Sequence, residues 1–144
     1  MITIKIIAVG NIKDKFFADA IAEYTKRLTK YCKFEIAQIK ESTVTKECDD
    51  IKEKLRGHVI LCDIRGDKVS SDGLATKIEK LSQTTSTISI VIGGSDGVGN
   101  YLDGHVNEKV SFGDITLPHQ LFRVVLVEQV YRAFTILRGE KYHK

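Results

Sequence analysis

Short apolar runs alternate along the chain with amphipathic segments. Five runs are rich in β-branched residues and bounded by turn residues, which predicts buried strands. They cover residues 2–9, 34–40, 58–64, 87–94 and 109–112. Apolar residues at helical spacing predict a helix over roughly 15–30, a second one around Cys48 and Ile51, and a third after a cap at Ser70 or Ser71.

The order of these elements is strand, helix, strand, helix through most of the chain. This alternation predicts an α/β fold, with a mostly parallel sheet and helices on both faces. No linker or repeat divides residues 1–144, so we expect a single domain. Parallel sheets bind ligands beyond the carboxyl ends of their strands. The segments 63–66, 93–99 and 112–120 are therefore the expected site, with Gly10 at the end of the first strand.

The last helix is unusually apolar. Its sequence begins near "LPHQLFRVVLVEQVYRAF", with Thr116 as a possible N-cap and Pro118 tolerated in the first turn. Most of its circumference carries Leu, Val, Ile, Phe and Ala, which does not suit the surface of a monomer. We expect one side to cover the sheet and another to meet a second subunit in a two-fold dimer.

Composition narrows the class of protein. A hydrophobic content of 42% excludes a disordered chain, and no apolar run is long enough to span a membrane. The first residues lack the pattern of a secretion signal, so we expect a cytoplasmic protein. Three cysteines without a Cys-x-x-Cys pair predict free thiols and no metal site. The net charge of +3 permits an RNA partner without requiring one.

The glycine loop "GGSDGVG" at 93–99 does not match a known phosphate fingerprint. The first strand is followed by "GNIKDKF", which lacks the G-x-G-x-x-G of dinucleotide folds, and no Gly-Lys-Ser/Thr of a P-loop occurs. Each glycine taken alone is explained by a tight turn. Four of them in seven residues after a buried strand favour close approach of the backbone to a ligand.

The motifs together resemble those of a known family. The strings "AVGNIKDKF", "IGGSDG", "SFGDITLPHQLFRVVLVEQVYRAF" and "RGEKYHK" look like the RlmH family. Its members are SPOUT-class methyltransferases that methylate N3 of a pseudouridine in bacterial large-subunit (23S) rRNA. The resemblance covers nearly the whole chain and is most specific over residues 88–144. Between the second and third strands this chain looks shorter than other members.

The resemblance implies a C-terminal deep trefoil knot, a homodimer and S-adenosylmethionine as the methyl donor. It also implies that the substrate is rRNA within the assembled ribosome. The donor would be held mainly by backbone groups of three loops. The matching positions in this chain are Cys62, Gly93, Phe112, Gly113, Asp114, Ile115, Thr116 and Leu117.

A ring imide nitrogen attacks a methyl group well only after losing its proton, so the site needs a base or a group that stabilises the anion. His119 and His143 are the candidate bases, and Arg123 is a candidate for stabilising the anion. Each histidine has an ordinary structural alternative, at a helix start and near a chain end, and the reaction could also proceed without a protein base.

The expected RNA contacts are basic and aromatic residues of the last helix and the tail after it. Tyr142 could stack on an exposed base. Arg132 could instead pair with Glu128, four residues earlier on the helix. We expect the tail to reach the site of the partner subunit. The cationic candidates for phosphate contacts are Arg123, Arg132, Arg138, Lys141 and Lys144.

Two other classes of protein remain open from the sequence. One is a non-catalytic RNA- or ribosome-binding dimer that has kept the knotted fold. The intact 112–117 loop, followed by "PHQ", argues against it. The other is a flavodoxin-like nucleotide-binding enzyme, and the missing phosphate fingerprints argue against that.

Overall fold

The computed structural model describes residues 1–144 and contains one five-stranded sheet. All strand pairs are parallel, and the strand order is β2-β1-β4-β3-β5. The strands are β1 (Thr3–Val9), β2 (Lys33–Ile39), β3 (His58–Lys68), β4 (Thr87–Ile92) and β5 (Glu108–Ser111). The helices are α1 (Lys15–Leu28), α2 (Val44–Lys54), α3 (Ser71–Ser82) and α4 (His119–Leu137).

Helices cover both faces of the sheet, which confirms the predicted fold class. Alternate residues of β1 point to opposite faces, so Ile6 and Ile7 enter two different cores. The larger core holds Ile6 with residues of α1, α3 and α4. The smaller one holds Ile7 with Cys48 and Ile51 of α2. Both cores are fully buried at these strand positions.

Two of the helices start at side-chain caps. The Thr43 hydroxyl accepts a hydrogen bond from the Lys46 amide at the start of α2, and the Ser70 hydroxyl accepts one from Gly73 at the start of α3. Each satisfies an amide that has no partner within the helix. The choice between Ser70 and Ser71 is therefore settled in favour of Ser70.

Strand β3 is longer than its apolar run predicts. It continues to Lys68 after an irregularity between Cys62 and Asp67, where pairing with β5 resumes at Asp67↔Val110. Residues 63–66 form a bulge between the two paired stretches, called the excursion below. The extension is held by β5, so the local alternation of apolar residues did not indicate it.

Helix α4 begins at His119, with Pro118 in the N-cap position and no side-chain cap. The prediction of Thr116 as the cap is wrong, because the chain stays extended at Pro118 (ψ 145°) and the helix starts two residues beyond the predicted point. The helix is packed between α1 and α3 on the sheet, while Leu121, Val124 and Val125 stay partly exposed.

No helix of the structure has the length and apolar character needed to cross a membrane. The trefoil knot implied by the resemblance stays a prediction.

Candidate functional site

A cavity of about 640 Å³ lies at the carboxyl ends of β3, β4 and β5. Its position agrees with the expected binding edge of a parallel sheet. Ten of its twenty lining residues are hydrophobic, and the others are mostly loop residues. Seven of the eight residues expected to hold the donor line this cavity: Cys62, Gly93, Phe112, Gly113, Ile115, Thr116 and Leu117.

Of the eight residues expected to hold the methyl donor, Asp114 is the one that does not line the cavity. Its carboxylate is exposed and accepts a hydrogen bond from Lys68 Nζ at 2.8 Å. Lys68 lies in the last part of β3, so this ion pair joins the end of β3 to the loop after β5. Asp114 therefore acts on the shape of the loop and does not belong to the cavity wall.

Close packing favours glycine at Gly93 in the cavity wall and requires it at Gly66 next to the wall. A Cβ atom on Gly93 would lie 2.9 Å from Val98 Cγ1, and one on Gly66 would lie 2.7 Å from the backbone nitrogen of Val110. Real Cβ atoms do not approach neighbours so closely, and the neighbour at Gly66 is backbone that cannot move aside. The glycine loop and the excursion after Cys62 are thus pressed directly against the neighbouring segments.

Three charged residues that line the cavity were not identified individually from the sequence: Asp63, Arg65 and Asp96. The pKa of the Asp63 carboxyl is lowered, chiefly by a hydrogen bond from the Arg65 backbone amide and further by the Arg65 side chain. Two carboxylates against one guanidinium give the wall a net negative charge. Their position in segments at strand ends was the signal that could have identified them.

Cys62 contributes an unreactive thiol to the cavity wall. Burial raises its pKa to about 12, so the thiolate is scarcely populated near neutral pH. The residue serves as a small apolar surface between Leu61 and the excursion.

The start of α4 is joined to the glycine loop through a histidine. Nε2 of His119 contacts the carbonyl oxygen of Gly93, which itself lines the cavity. A carbonyl oxygen only accepts hydrogen bonds, so Nε2 must carry the proton. In the neutral ring, Nδ1 is then the nitrogen with a free lone pair.

Arg123 is not exposed to RNA, which corrects the expectation from the sequence. Its side chain is 1% exposed, and Nη2 donates to the carbonyl oxygens of Val9 and Gly10 at 3.1 and 3.0 Å. Nε and Nη1 are buried without a hydrogen-bond partner. One helical turn beyond His119, the guanidinium reaches the end of β1, so it cannot reach a phosphate in solvent.

The tail folds back onto its own subunit. The Tyr142 hydroxyl donates to Glu128 Oε2 at 2.6 Å, and its ring packs edge-on against Tyr131. Arg132 pairs with Glu128 at 2.7 Å, as in the alternative reading from the sequence, and stands over the Tyr142 ring. Tyr142 is therefore not free to stack on a base in this arrangement.

His143 is engaged at both ring nitrogens. Nη1 of Arg132 lies 3.1 Å from Nδ1, and an arginine only donates, so Nδ1 accepts. Nε2 then carries the proton and faces Asp72 Oδ2 at 3.7 Å. In this position the ring has no free lone pair with which to accept a proton.

The two candidate bases lie far apart in one subunit. His119 and Arg132 are 13 residues apart on one helix, which corresponds to about 20 Å at 1.5 Å per residue. His143 sits beside Arg132 and therefore away from the cavity. Of the other tail cations, Arg138 stacks over the Tyr31 ring, and Lys141 is exposed.

Comparison with known proteins agrees with the architecture. A family model described as "Predicted SPOUT methyltransferase" matches residues 2–143. The solved structure of a tRNA (m1G37) methyltransferase from Aquifex aeolicus superposes with a TM-score of 0.55 at 16% identity, covering 98% of this chain and 74% of that one. At this identity the likeness concerns the fold alone.

Full-length relatives are much closer in sequence. "Ribosomal RNA large subunit methyltransferase H" of Clostridium botulinum (strain Kyoto) is 46% identical over 158 aligned positions, covering 98% of this chain and 99% of the relative. The protein of the same name from Latilactobacillus sakei is 43% identical, with the same coverage. Both alignments exceed the 144 residues of this chain, so the relatives carry residues that it lacks.

These matches confirm the resemblance read from the motifs. The chain belongs to the SPOUT methyltransferase family, among the relatives of ribosomal RNA large subunit methyltransferase H.

Proposed function

We propose that this protein transfers a methyl group from S-adenosylmethionine to N3 of a pseudouridine in large-subunit rRNA, on the assembled ribosome. The observation that carries the proposal is the cavity at the strand ends, in a methyltransferase whose relatives are named for the large-subunit rRNA. His119 lies beside this cavity with a free Nδ1. The test is transfer of labelled methyl to ribosomes that lack the modification.

The cavity suits a cationic donor with an adenine group. Ile92, Phe112 and Leu117 supply apolar surface for a flat ring, and the loop amides and carbonyls supply partners for its polar edge. The two negative charges of Asp63 and Asp96 outnumber the single positive charge of Arg65, and the resulting net negative charge favours a ligand with net positive charge. When bound, S-adenosylmethionine supplies a methyl group on a positively charged sulfur.

Donor binding can be tested without the RNA. Equilibrium dialysis with labelled S-adenosylmethionine should show one saturable site per subunit or per dimer. D96N should bind the donor several-fold more weakly, because it removes one of the carboxylates in the wall. D49N changes an exposed carboxylate on α2 and is the matched control. A chain that binds no donor would instead fit a non-catalytic ribosome-binding dimer.

His119 is the best-placed proton acceptor in the subunit that holds the cavity. Its Nε2 proton is committed to the Gly93 carbonyl, which fixes the ring and directs the lone pair to Nδ1. This is the logic of an oriented general base, in which one ring nitrogen is held so that the other can act.

The tail acts on the site of a partner subunit in this proposal, and residues 1–144 form one SPOUT-like domain that dimerises. Two observations support it. Leu121, Val124 and Val125 leave an apolar strip of α4 partly exposed, which a second copy could cover. Arg132 stands about 20 Å along the helix from His119 and His143 lies beside Arg132, so a tail that serves the reaction is expected to serve the cavity of the partner.

Mixing two inactive subunits tests the arrangement. H119Q keeps its tail but lacks the proposed base, and a chain truncated after Arg138 keeps the base but lacks the tail. If the tail works in trans, mixed dimers have one complete site, and random mixing should recover about a quarter of wild-type activity. A mixture as inactive as its two components would place the tail in cis.

A further inference from the structure

A second groove lies, like the donor cavity, at the carboxyl ends of the strands. It has a volume of about 500 Å³, and none of its six lining residues is hydrophobic. It is formed where β1 and β2 end, between Gly10 and Lys40. The lining residues are Gly10, Asn11, Lys13, Gln38, Lys40 and Glu41.

The groove and the donor cavity lie next to each other because the strands that end at them are adjacent in the sheet. Ala8 of β1 pairs with Ile92 of β4, so the ends of these strands stand side by side, with Gly10 near the level of Gly93. Val9 pairs with Ile39 of β2, which places Lys40 one strand further out. Strands lie about 4.8 Å apart, so Lys40 is separated from the glycine loop by about 10 Å at the backbone.

Two free cations line this groove. Lys13 and Lys40 are exposed, and neither ammonium group forms an ion pair. Many other cations of the chain are already paired, including Arg132 of the last helix. The amides of Asn11 and Gln38 add hydrogen-bond donors to the same groove.

A buried cation lies directly behind the groove. Arg123 donates to the carbonyl of Gly10 and has no carboxylate partner, while its Nε and Nη1 are buried and unpaired. A positive charge held away from water raises the potential at the nearby surface more than an exposed lysine does. Glu41 is the one carboxylate that lines the groove, so the charges around it remain net positive.

We propose that this groove is a phosphate-binding subsite for the RNA strand that flanks the methylated nucleotide. The inference rests on the proposed function, since it assigns the groove to the same substrate. A base must leave its stack to reach a methyl donor held in the cavity. The protein must then hold the backbone on either side of it, and lysine and amide groups are suited to phosphate.

The test compares two double variants in the full-length protein. K13Q/K40Q removes both cations of the groove. K33Q/K80Q removes two exposed lysines, at the start of β2 and in the last turn of α3, at the amino ends of the strands and away from the groove. Binding to ribosomes that lack the modification is measured by co-sedimentation over a series of salt concentrations, together with the kcat/KM of methyl transfer.

K13Q/K40Q should weaken ribosome binding about tenfold or more and lower the slope of log K against log salt by about 2. Its dissociation constant for S-adenosylmethionine should not change, and K33Q/K80Q should behave like the wild type. E41Q should bind ribosomes more tightly. Wild-type affinity and salt slope in K13Q/K40Q, or weaker binding in E41Q, would overturn the inference.

The readouts also separate this inference from the proposed function. If the wild type binds ribosomes but transfers no methyl group, the proposed function is wrong. The salt dependence of ribosome binding by K13Q/K40Q then still shows whether the groove binds phosphate. A loss of binding to ribosomes with unchanged binding to free rRNA would assign the groove to a ribosomal protein and overturn the phosphate subsite.

Discussion

His119 and Gly93 are joined by a hydrogen bond from the imidazole Nε2 to the glycine carbonyl. The bond links the first residue of α4 to the loop that lines the cavity at the strand ends. It also fixes the tautomer, because the carbonyl can only accept. One contact thus connects the packing of the last helix with the free lone pair on Nδ1, which we propose accepts the proton.

H119Q should abolish most of the activity while leaving donor binding nearly intact. A glutamine amide can still donate to the Gly93 carbonyl, but it cannot take up a proton near neutral pH. We expect kcat to fall about 100-fold or more in single-turnover methyl transfer. H105Q changes an exposed loop histidine and is the control. An H119Q protein as fast as H105Q would exclude His119 as the base.

R123A should destabilise the fold, because two backbone carbonyls at the end of β1 lose their donor and a cavity is left. We expect a loss of about 2–4 kcal/mol in the free energy of unfolding, measured with urea. R123M retains most of the volume and removes a buried charge, so it should cost less than R123A. Equal stability of R123A and the wild type would contradict the buried role of this guanidinium.

Glu108 should support stability at neutral pH and lose this effect in acid. Burial alone would raise its pKa, but hydrogen bonds from Lys77 and His58 outweigh burial, and the pKa is lowered below 4.5. A carboxyl whose pKa is lower in the folded state stabilises it above the unfolded value and loses this contribution as the pH falls through the folded one.

E108Q should therefore lower the free energy of unfolding at pH 7 by about 1 kcal/mol. It should also flatten the fall in stability below pH 4.5, which is measured by urea unfolding across the acid range. A fall as steep as that of the wild type would show that other carboxyls cause it. E79Q, an exposed carboxyl on α3, is the control.

The cysteines should resist alkylation in the folded protein. Burial raises the pKa of Cys32 and Cys62 to about 12 and also raises that of Cys48. Only the thiolate reacts quickly with iodoacetamide. At pH 8 we expect slow labelling of the native chain and three labelled sites in urea, counted by mass spectrometry. Rapid labelling of native Cys62 would contradict the raised pKa of this thiol.

The strands could be predicted from the sequence because each one is a local run of apolar residues bounded by turn residues. The apolar run 2–9 corresponds to β1 (Thr3–Val9), and the glycine loop marked the end of β4. The excursion after Cys62 was missed because Lys68 is held in β3 by pairing with Ser111. That contact joins residues far apart in the chain, and no local periodicity reports it.

The errors at the candidate site have a common origin. Arg123 looked exposed because a charge on an apolar helix without a nearby acid usually faces water. Its partners are the carbonyls of Val9 and Gly10, more than a hundred positions earlier. Tyr142 looked free because its partner Glu128 is distant in the chain and lies close to it only in the folded structure. The sequence shows the charge and type of each residue, but it does not show which distant residue will be its partner in the fold.

The most direct measurement is the transfer of labelled methyl from S-adenosylmethionine to ribosomes that lack the modification, followed by mapping of the labelled nucleotide. We expect label at N3 of one pseudouridine in the large-subunit rRNA, with ribosomes preferred over free rRNA. Label at another atom or in another RNA would contradict the assigned target. An absence of label from a protein that binds the donor would contradict the proposed reaction on the ribosome.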